Sequence, residues 1–341
     1  MSSNDITLSR AQSSDIHEIL KFYEVNFDNW NEVRRFWSWQ QLENPSFQGP
    51  MHVLAKKKDV IVGCIAINPV RLSFKNSVIN AAWQQDSLVD KPLRGQGLGR
   101  KLIHEAGKDC DIALAKGTGA AMYGLRKSYG YQDVKNANYL IWIKEPRSLK
   151  SRGWKSIAEV FFSLWQKAVP LPHLDDPIRV SEISAFDKSF DDLADLLSRQ
   201  RILRIYKCRR YLNWRYFQCP EKRYTVFRAG NKDARGAIVT CISHRDKEEG
   251  WIVDLICSDD DEKCAFALLD KAIRTLRLSG IKRIWVFATL PTARRWLYRF
   301  GFLPTNNSPN FTHCLQNSEL TQAGPLAWDF WHGDGDTELY T

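Results

Sequence analysis

The segment "RRFWSWQQLENP" (34–45) returns as "RRYLNWRYFQCP" (209–220), with two arginines, an aromatic residue, a tryptophan and a proline in register. Two more pairs follow in the same order: "KKDVIVGCIAI" (57–67) with "NKDARGAIVTCI" (231–242), and "RKSYGYQ" (126–132) with "LYRFGFL" (297–303). Self-similarity at matched spacing marks a duplicated structural unit. It predicts two copies of one domain, at 1–150 and 178–341, joined by a linker at 151–177. That linker holds the apolar stretch "SIAEVFFSLW" (156–165), read as a helix, and the proline-rich "VPLPHLDDP" (169–177). The competing reading is two unrelated domains that share short aromatic motifs. A chain of 341 residues has room for about two domains.

The first copy shows its elements plainly. "DIHEILKFYEV" (15–25) and the stretch from Arg34 to Leu42 read as helices. The segments 60–74 and 77–89 are apolar and β-branched, and Lys75-Asn76 between them supplies a turn, which gives strand–turn–strand. Leu98, Leu102, Ile103 and Ala106 share one face of a following helix. "CDIALA" is a short strand, a helix runs from about Ala120 to Ser128 until Gly130 ends it, and "NANYLIWI" (136–143) is a last strand. This order predicts an α/β fold: in each copy a mixed twisted sheet with helices on both faces.

Composition narrows the partners. The hydrophobic fraction of 44% supports a core, and no apolar run approaches the roughly 20 residues of a membrane span. The N-terminus lacks a basic-then-apolar signal pattern. None of the eight cysteines forms a C-x-x-C pair, which argues against zinc and a disulfide framework and for the reducing cytoplasm. The net charge of +10 divides into +8 over residues 1–170 and +2 over the rest, so an anionic ligand is expected on the first half. The positive charges are dispersed, with "KKK" (56–58) as the only run, which argues against nucleic acid as the main partner.

Residues 92–100, "PLRGQGLGR", suggest what that anion is. The spacing Gly95, Gly97, Gly99 is not the G-x-G-x-x-G of a dinucleotide fold, and Arg100-Lys101 is not the G-K-[ST] of a P-loop. A helix N-terminus offers unpaired N–H groups and a partial positive charge, and glycines let a pyrophosphate approach it. Read as R-x-x-G-x-G, from Arg94 to Gly99 between a long strand and an amphipathic helix, the loop resembles the signature of the GNAT acetyltransferase superfamily. "RKSYGY" resembles that family's closing helix end, and the aromatic-x-x-Trp segments resemble those of tandem bacterial members.

The resemblance implies two tandem GNAT-like domains. It also implies acetyl-CoA, or another acyl-CoA, as co-substrate and no metal. The pyrophosphate would sit on Arg94, Gly95, Gln96, Gly97, Leu98, Gly99 and Arg100, and the pantetheine arm would pair with the strand end at Leu88 and Val89. The second copy departs from this pattern. "CSDDDEKCAFALLDKAIRTL" (257–276) starts its helix with Asp259, Asp260, Asp261 and Glu262 and no glycine, so this copy is expected to be degenerate. Its helix face is Leu268, Leu269, Ala272, Ile273 and Leu276, with Gly280 as a cap.

Acyl transfer to an amine needs a base, and a protonated leaving thiol calls for an acid. Asp86, in the strand before the loop, is the candidate base; Asp90 lies toward the loop and reads as a turn residue. The family's usual tyrosine acid would fall on Arg126, so Tyr123, one turn earlier, is the candidate acid, and Arg126 a candidate contact to the CoA phosphates. His104 is off the apolar face, and the tail "WDFWHGDGDTELY" (328–340) is read as folding over a cationic amine site. The function expected is N-acyl transfer, acetyl above all, to a primary amine of a small metabolite or sugar nucleotide. The alternatives are an aminoacyl-tRNA-dependent ligase resembling the peptidoglycan-bridge enzymes, which would not need the glycine loop, and a non-catalytic CoA-binding scaffold.

Overall fold

The computed structural model describes residues 5–28, 30–46, 51–144, 178–220, 223–322 and 325–335. The linker read at 151–177, with its apolar helix, lies outside the described residues. The first half contains β1 (Ile6–Arg10), α1 (Ile16–Asn26), α2 (Trp30–Leu42), β2 (His52–Lys57), β3 (Val60–Phe74), β4 (Ser77–Val89), α3 (Leu98–Gly107), β5 (Ile112–Ala115), α4 (Ala120–Lys127), β6 (Gln132–Asp133) and β7 (Tyr139–Ile143). The second contains β8 (Val180–Ile183), α5 (Ser189–Ser198), β9 (Ile202–Ile205), α6 (Arg209–Tyr216), β10 (Thr225–Ala229), β11 (Gly236–Ile242) and β12 (Glu249–Cys257). It continues with α7 (Glu262–Leu278), β13 (Arg283–Phe287), α8 (Pro291–Arg299), β14 (Leu303–Pro304), β15 (Thr312–Leu315), α9 (Ser318–Gln322) and β16 (Ala327–Asp329).

These elements build two mixed sheets. The first runs β1-β2-β3-β4-β5-β15-β6, with β9 paired to β3 and β16 to β9. The second runs β14-β7-β13-β12-β11-β10-β8. The hairpin of β3 and β4 turns at Lys75 and Asn76, both at positive φ, as the sequence indicates.

Sequence order alone would place the strand at Tyr139–Ile143 as the last of the first sheet. The structure instead inserts β7 between β13 and β14 of the second sheet. In return β15 enters the first sheet between β5 and β6. Each half therefore closes with a strand from the other.

The matched sequences occupy matched places. Gly130 and Gly301 end α4 and α8 at φ 80° and 82°. In each copy the amide after the glycine donates back into the helix, Tyr131 N to Arg126 O at 3.2 Å and Phe302 N to Leu297 O at 3.1 Å. Trp39 and Trp214 hold the same position in the first repeated motif, and they stack on one another with ring centroids 4.5 Å apart at 19°. Contact between equivalent residues is what a two-fold relation between copies produces.

The expected faces are the packed ones. Leu98, Leu102, Ile103 and Ala106 of α3 are all buried against Val62, Ile65, Ala82 and Ala113 of the first sheet. Gly63 permits that close approach, because a Cβ there would lie 3.3 Å from both Leu102 Cδ1 and the Leu88 carbonyl oxygen. α1 and α2 cover the opposite face through Ile19, Phe22, Tyr23, Val33 and Trp37. In the second copy Leu268, Leu269, Ala272, Ile273 and Leu276 are likewise buried.

Candidate active site

β4 and β5 run parallel and pair only at Ala81↔Ile112, Ala82↔Ala113 and Trp83↔Leu114. Past Trp83 the two strands part, and among the described residues the edge of β4 from Gln84 to Val89 has no strand beside it on that side. The opening leads to the glycine loop. Leu93 and Arg94 close a short turn onto Asp90 and Lys91, and α3 begins at Leu98 with Gly97 as its N-cap. Gly95 and Gly97 have φ of 79° and 80°, a left-handed backbone that L side chains rarely adopt. A Cβ on either would meet nothing within 4 Å, so the space above both is open. A Cβ on Gly99 would make only ordinary contact, with Leu125 Cδ2 at 3.6 Å.

The loop side chains border the same space. Arg94 is exposed and donates from Nε to the Val89 carbonyl oxygen at 2.9 Å, tying the loop to the end of β4. Gln96 Nε2 donates to Pro92 O at 3.0 Å, and the Arg100 guanidinium lies 5.2 Å from the Tyr129 ring centroid. The half-buried Leu88 and Val89 form the last of the open edge. An anion arriving here would meet a helix N-terminus, two arginines and bare glycine backbone.

β4 also carries a bulge. Ala66 pairs with Gln85 but Cys64 pairs with Leu88, so Asp86 and Ser87 together face Ile65. Asp86 takes φ 46°, a conformation that costs on the order of 1–3 kcal/mol outside glycine and tends to occur at functional sites. Its carboxylate acts electrostatically on the buried thiol of Cys64, which burial above all pushes up to about 12. Asp86 thus belongs to the face covered by α1 and α2.

Residues 14–118 match the model of the acetyltransferase (GNAT) family. The matched stretch spans β4, the glycine loop and α3. The fold extends the likeness over both halves. A GCN5-related N-acetyltransferase from Anabaena variabilis superposes with a TM-score of 0.61 at 12% identity, covering 92% of this chain and 73% of its own. A probable N-acyltransferase from Enterococcus faecalis gives 0.59 at 11%, covering 91% and 72%. The N-myristoyltransferase of Saccharomyces cerevisiae with bound myristoyl-CoA gives 0.56 at 13%, covering 92% and 80%. At such identities the likeness is one of fold.

Two of the residues singled out in the first half lie differently from expectation. Arg126 does not reach the phosphate loop. It is 1% exposed and lodged at the head of the opening, donating from Nη1 to Gln84 Oε1 at 3.1 Å and from Nη2 to the Gln84 carbonyl at 3.3 Å. The Tyr131 hydroxyl donates to the same Oε1 at 2.8 Å, and Gln84 Nε2 donates to Ile103 O at 3.3 Å. Tyr123 donates its hydroxyl proton to Asp133 at 2.9 Å, and that hydrogen bond raises its pKa. The proton an acid would release is held on β6.

Sequence reasoning missed the surroundings of the opening. Across the α1/α2 face, Gln41 donates to Asn68, and Asn68 donates to Gln85 beside the bulge. A cleft of about 30 Å³ lies there between the halves, lined among others by Gln40, Asn44, Gln85, Trp214, Arg215 and Asp334. A larger cavity, about 640 Å³, lies toward the other end of α3 against Arg10, Met51, Ala82, Ala106 and Cys110, away from the glycine loop.

The second copy has the same opening, filled. β12 and β13 pair only from Glu249↔Arg283 to Ile252↔Val286. Beyond that, Trp331 bridges Ala288, and a Cβ on Gly333 would lie 2.5 Å from Tyr216 Oη and 2.8 Å from Val253 Cγ1. Asp334 is clamped 2.8 Å from Lys207, which also holds Asp254 of β12 at 2.7 Å, while Tyr216 donates to Asp254 at 2.7 Å. The tail from Trp331 to Asp334 thus enters this opening, and residues 336–340 of the tail lie outside the described residues. At the helix start, Asp261 accepts from Cys264 N at 3.1 Å and pairs with Arg235 at 2.8 Å, so its carboxylate caps α7.

Proposed function

We propose that the chain is an acyl-CoA-dependent N-acyltransferase that binds one acyl-CoA in the first copy. The observation that carries this reading is the unpaired edge of β4 past Trp83, leading to the Gly95–Gly99 loop at the start of α3. Its backbone can pair with the amide-bearing arm of CoA, and Arg94, Arg100 and the α3 amides can take the pyrophosphate. An acetyl group is the expected cargo. The acceptor is a primary amine of a small metabolite or sugar nucleotide, entering from the face where Asp86 and the Gln41–Asn68–Gln85 amides lie.

In this reading Asp86 takes the ammonium proton, directly or through water, so that the free amine can attack the thioester carbonyl. Tyr123 has no part in it, because its proton is committed to Asp133. The second copy shapes the acceptor side and offers no second cofactor place, since Trp331–Asp334 fill its opening.

Calorimetric titration tests the proposal. Acetyl-CoA should bind once per chain, and at 100-fold its dissociation constant should add about 2.7 kcal/mol of stability. Longer acyl-CoAs, ATP, NAD and tRNA form the comparison set. Two acetyl-CoA per chain, or stabilisation by tRNA with none by acyl-CoA, would refute it. Turnover with a panel of amines separates an enzyme from a CoA-binding scaffold.

A further inference from the structure

The resemblance assigns an acid to the place where this chain has Arg126, and the Tyr123 hydroxyl one turn earlier is hydrogen-bonded away to Asp133. Arg126 is nine-tenths buried or more, yet its partners are a glutamine and a tyrosine, and no carboxylate among the described residues pairs with it. Its Nε, also buried, has no hydrogen-bond partner among them. Burying a lone cation is costly unless something opposes its charge, and desolvation pulls this guanidinium down to about 10. The Gln84 carbonyl it holds belongs to the strand edge that β5 no longer covers. A cation in wait at the head of the cofactor opening calls for an anion formed there.

We propose that the Arg126 guanidinium receives the thiolate of CoA as the thioester breaks, in place of a proton donor. This rests on the acyl-CoA reading above. The amine nitrogen attacks the thioester carbonyl, the C–N bond forms, and the C–S bond breaks with its electron pair on sulfur. One ammonium proton leaves through Asp86 to solvent before the attack, and the second, lost from the acylated nitrogen as the intermediate collapses, follows it to water. The thiolate rests against the guanidinium and takes a proton from water on release. Arg126 stabilises the leaving group by charge, with Gln84 and Tyr131 fixing its position.

The surrounding titratable groups leave this charge uncompensated. Burial raises the pKa of Tyr131, so it stays protonated, and burial pushes the Cys110 thiol up to about 12 and raises that of Cys314. Burial brings His313 down to about 4, so it is neutral. Asp133 is occupied by Lys127 and Tyr123, and Asp86 lies on the other face. Between pH 6 and 9 the group whose ionisation Arg126 would change is the thiol of CoA.

The test compares CoA with desulfo-CoA on the full-length protein by calorimetry from pH 6 to 9. An opposite charge within reach lowers a thiol pKa by about 1–3 units. CoA should therefore bind at least several-fold tighter than desulfo-CoA at pH 9, with a ceiling of about tenfold per unit of thiol pKa shift. The advantage should grow as pH rises from the bound pKa to the free one, with thiolate absorbance near 235 nm appearing on binding. Arg126→Gln should erase the advantage and leave desulfo-CoA affinity unchanged, and Arg126→Lys should keep part of it. Gln84→Glu, which sets a carboxylate against the guanidinium without emptying the space, should erase it too and decides the matter if Arg126→Gln does not fold. If wild type binds both nucleotides equally across pH while still binding acetyl-CoA, the role of Arg126 is refuted and the acyl-CoA reading stands. If it binds none of them, both fall.

Discussion

Separating the halves should destroy both. A fragment of residues 1–150 holds the whole glycine loop, β4 and α4, yet it lacks β15, the strand that lies between β5 and β6. It also keeps β7 with no second sheet to enter. Leu140, Ile141, Trp142 and Ile143 are 0%, 6%, 8% and 1% exposed in the intact chain. Burial of such a side chain is worth about 1.5–3 kcal/mol, so stranding four of them forfeits roughly 6–12 kcal/mol. That equals most of the 5–15 kcal/mol that stabilises an ordinary domain. The fragment should be insoluble or molten, with an exposed β5 edge and an apolar strand that invite aggregation. The fragment 151–341 should fail for the reciprocal reason. Co-expressed, the two should form a soluble complex, because the exchanged strands carry the association. Calorimetry of the intact protein should show one cooperative transition. A monomeric 1–150 fragment that unfolds cooperatively and binds acetyl-CoA at full affinity would refute the argument.

Three further expectations concern single side chains. Arg94→Glu should weaken acetyl-CoA binding at least about tenfold by calorimetry, while an exposed substitution of this kind changes stability by only about 0.5 kcal/mol or less; unchanged affinity would sink the phosphate role of the loop. Asp86→Asn should lower the rate of thiol release more than acetyl-CoA affinity and flatten its pH dependence, and an unaltered pH profile would leave Asp86 with a purely structural place at the bulge. Lys207→Met should cost about 3–5 kcal/mol, because it strands Asp254 and Asp334 together in the interior. Burial above all already raises Asp254, to about 6, above its unfolded value of 3.8. Stability tied to its protonated form is present at low pH and is lost as pH rises through that window. Denaturant midpoints of the variant should therefore recover at pH 5 relative to pH 8, and a pH-independent deficit would contradict the burial argument.

The sequence showed what is local and periodic. The repeat marks two copies of one fold, the apolar faces of α3 and α7 are legible residue by residue, and the turn at Lys75-Asn76 and the cap at Gly130 follow from chemistry confined to a few residues. Pairing partners are another matter. The pattern of 136–143 says strand, but nothing in it says which sheet, since exchange between two copies of one fold leaves each strand in an equivalent environment. Arg126 misled for a related reason. An arginine on a short helix reads as exposed, and only Gln84, 42 positions earlier in the chain, reveals the pocket that buries it. The network of Lys207, Asp254 and Asp334 was likewise invisible as a set. One signal was available: a lone Asp in the apolar run "GWIVDLIC" had to find a partner in the core.

The duplication supplies an internal control for the site. Both copies keep a glycine where helix meets sheet, Gly63 in one and Gly236 in the other, where a Cβ would lie 2.6 Å from the Ile256 carbonyl. Both keep the parting of parallel strands and the left-handed glycine, after α4 in one and after α8 in the other. They differ where a ligand would bind. One helix starts on open glycines, the other on the capping carboxylate of Asp261. Among the described residues one opening is free of chain; the other holds Trp331 to Asp334. The position occupied by Arg126 in the first copy is Leu297 in the second, fully buried and with the same backbone hydrogen bond behind it. If that position had only to fill space, an apolar side chain would serve in both, and the second copy shows that the fold accepts one. The first copy instead keeps a guanidinium there against its desolvation. A cost borne only in the copy with an empty opening belongs to what enters that opening.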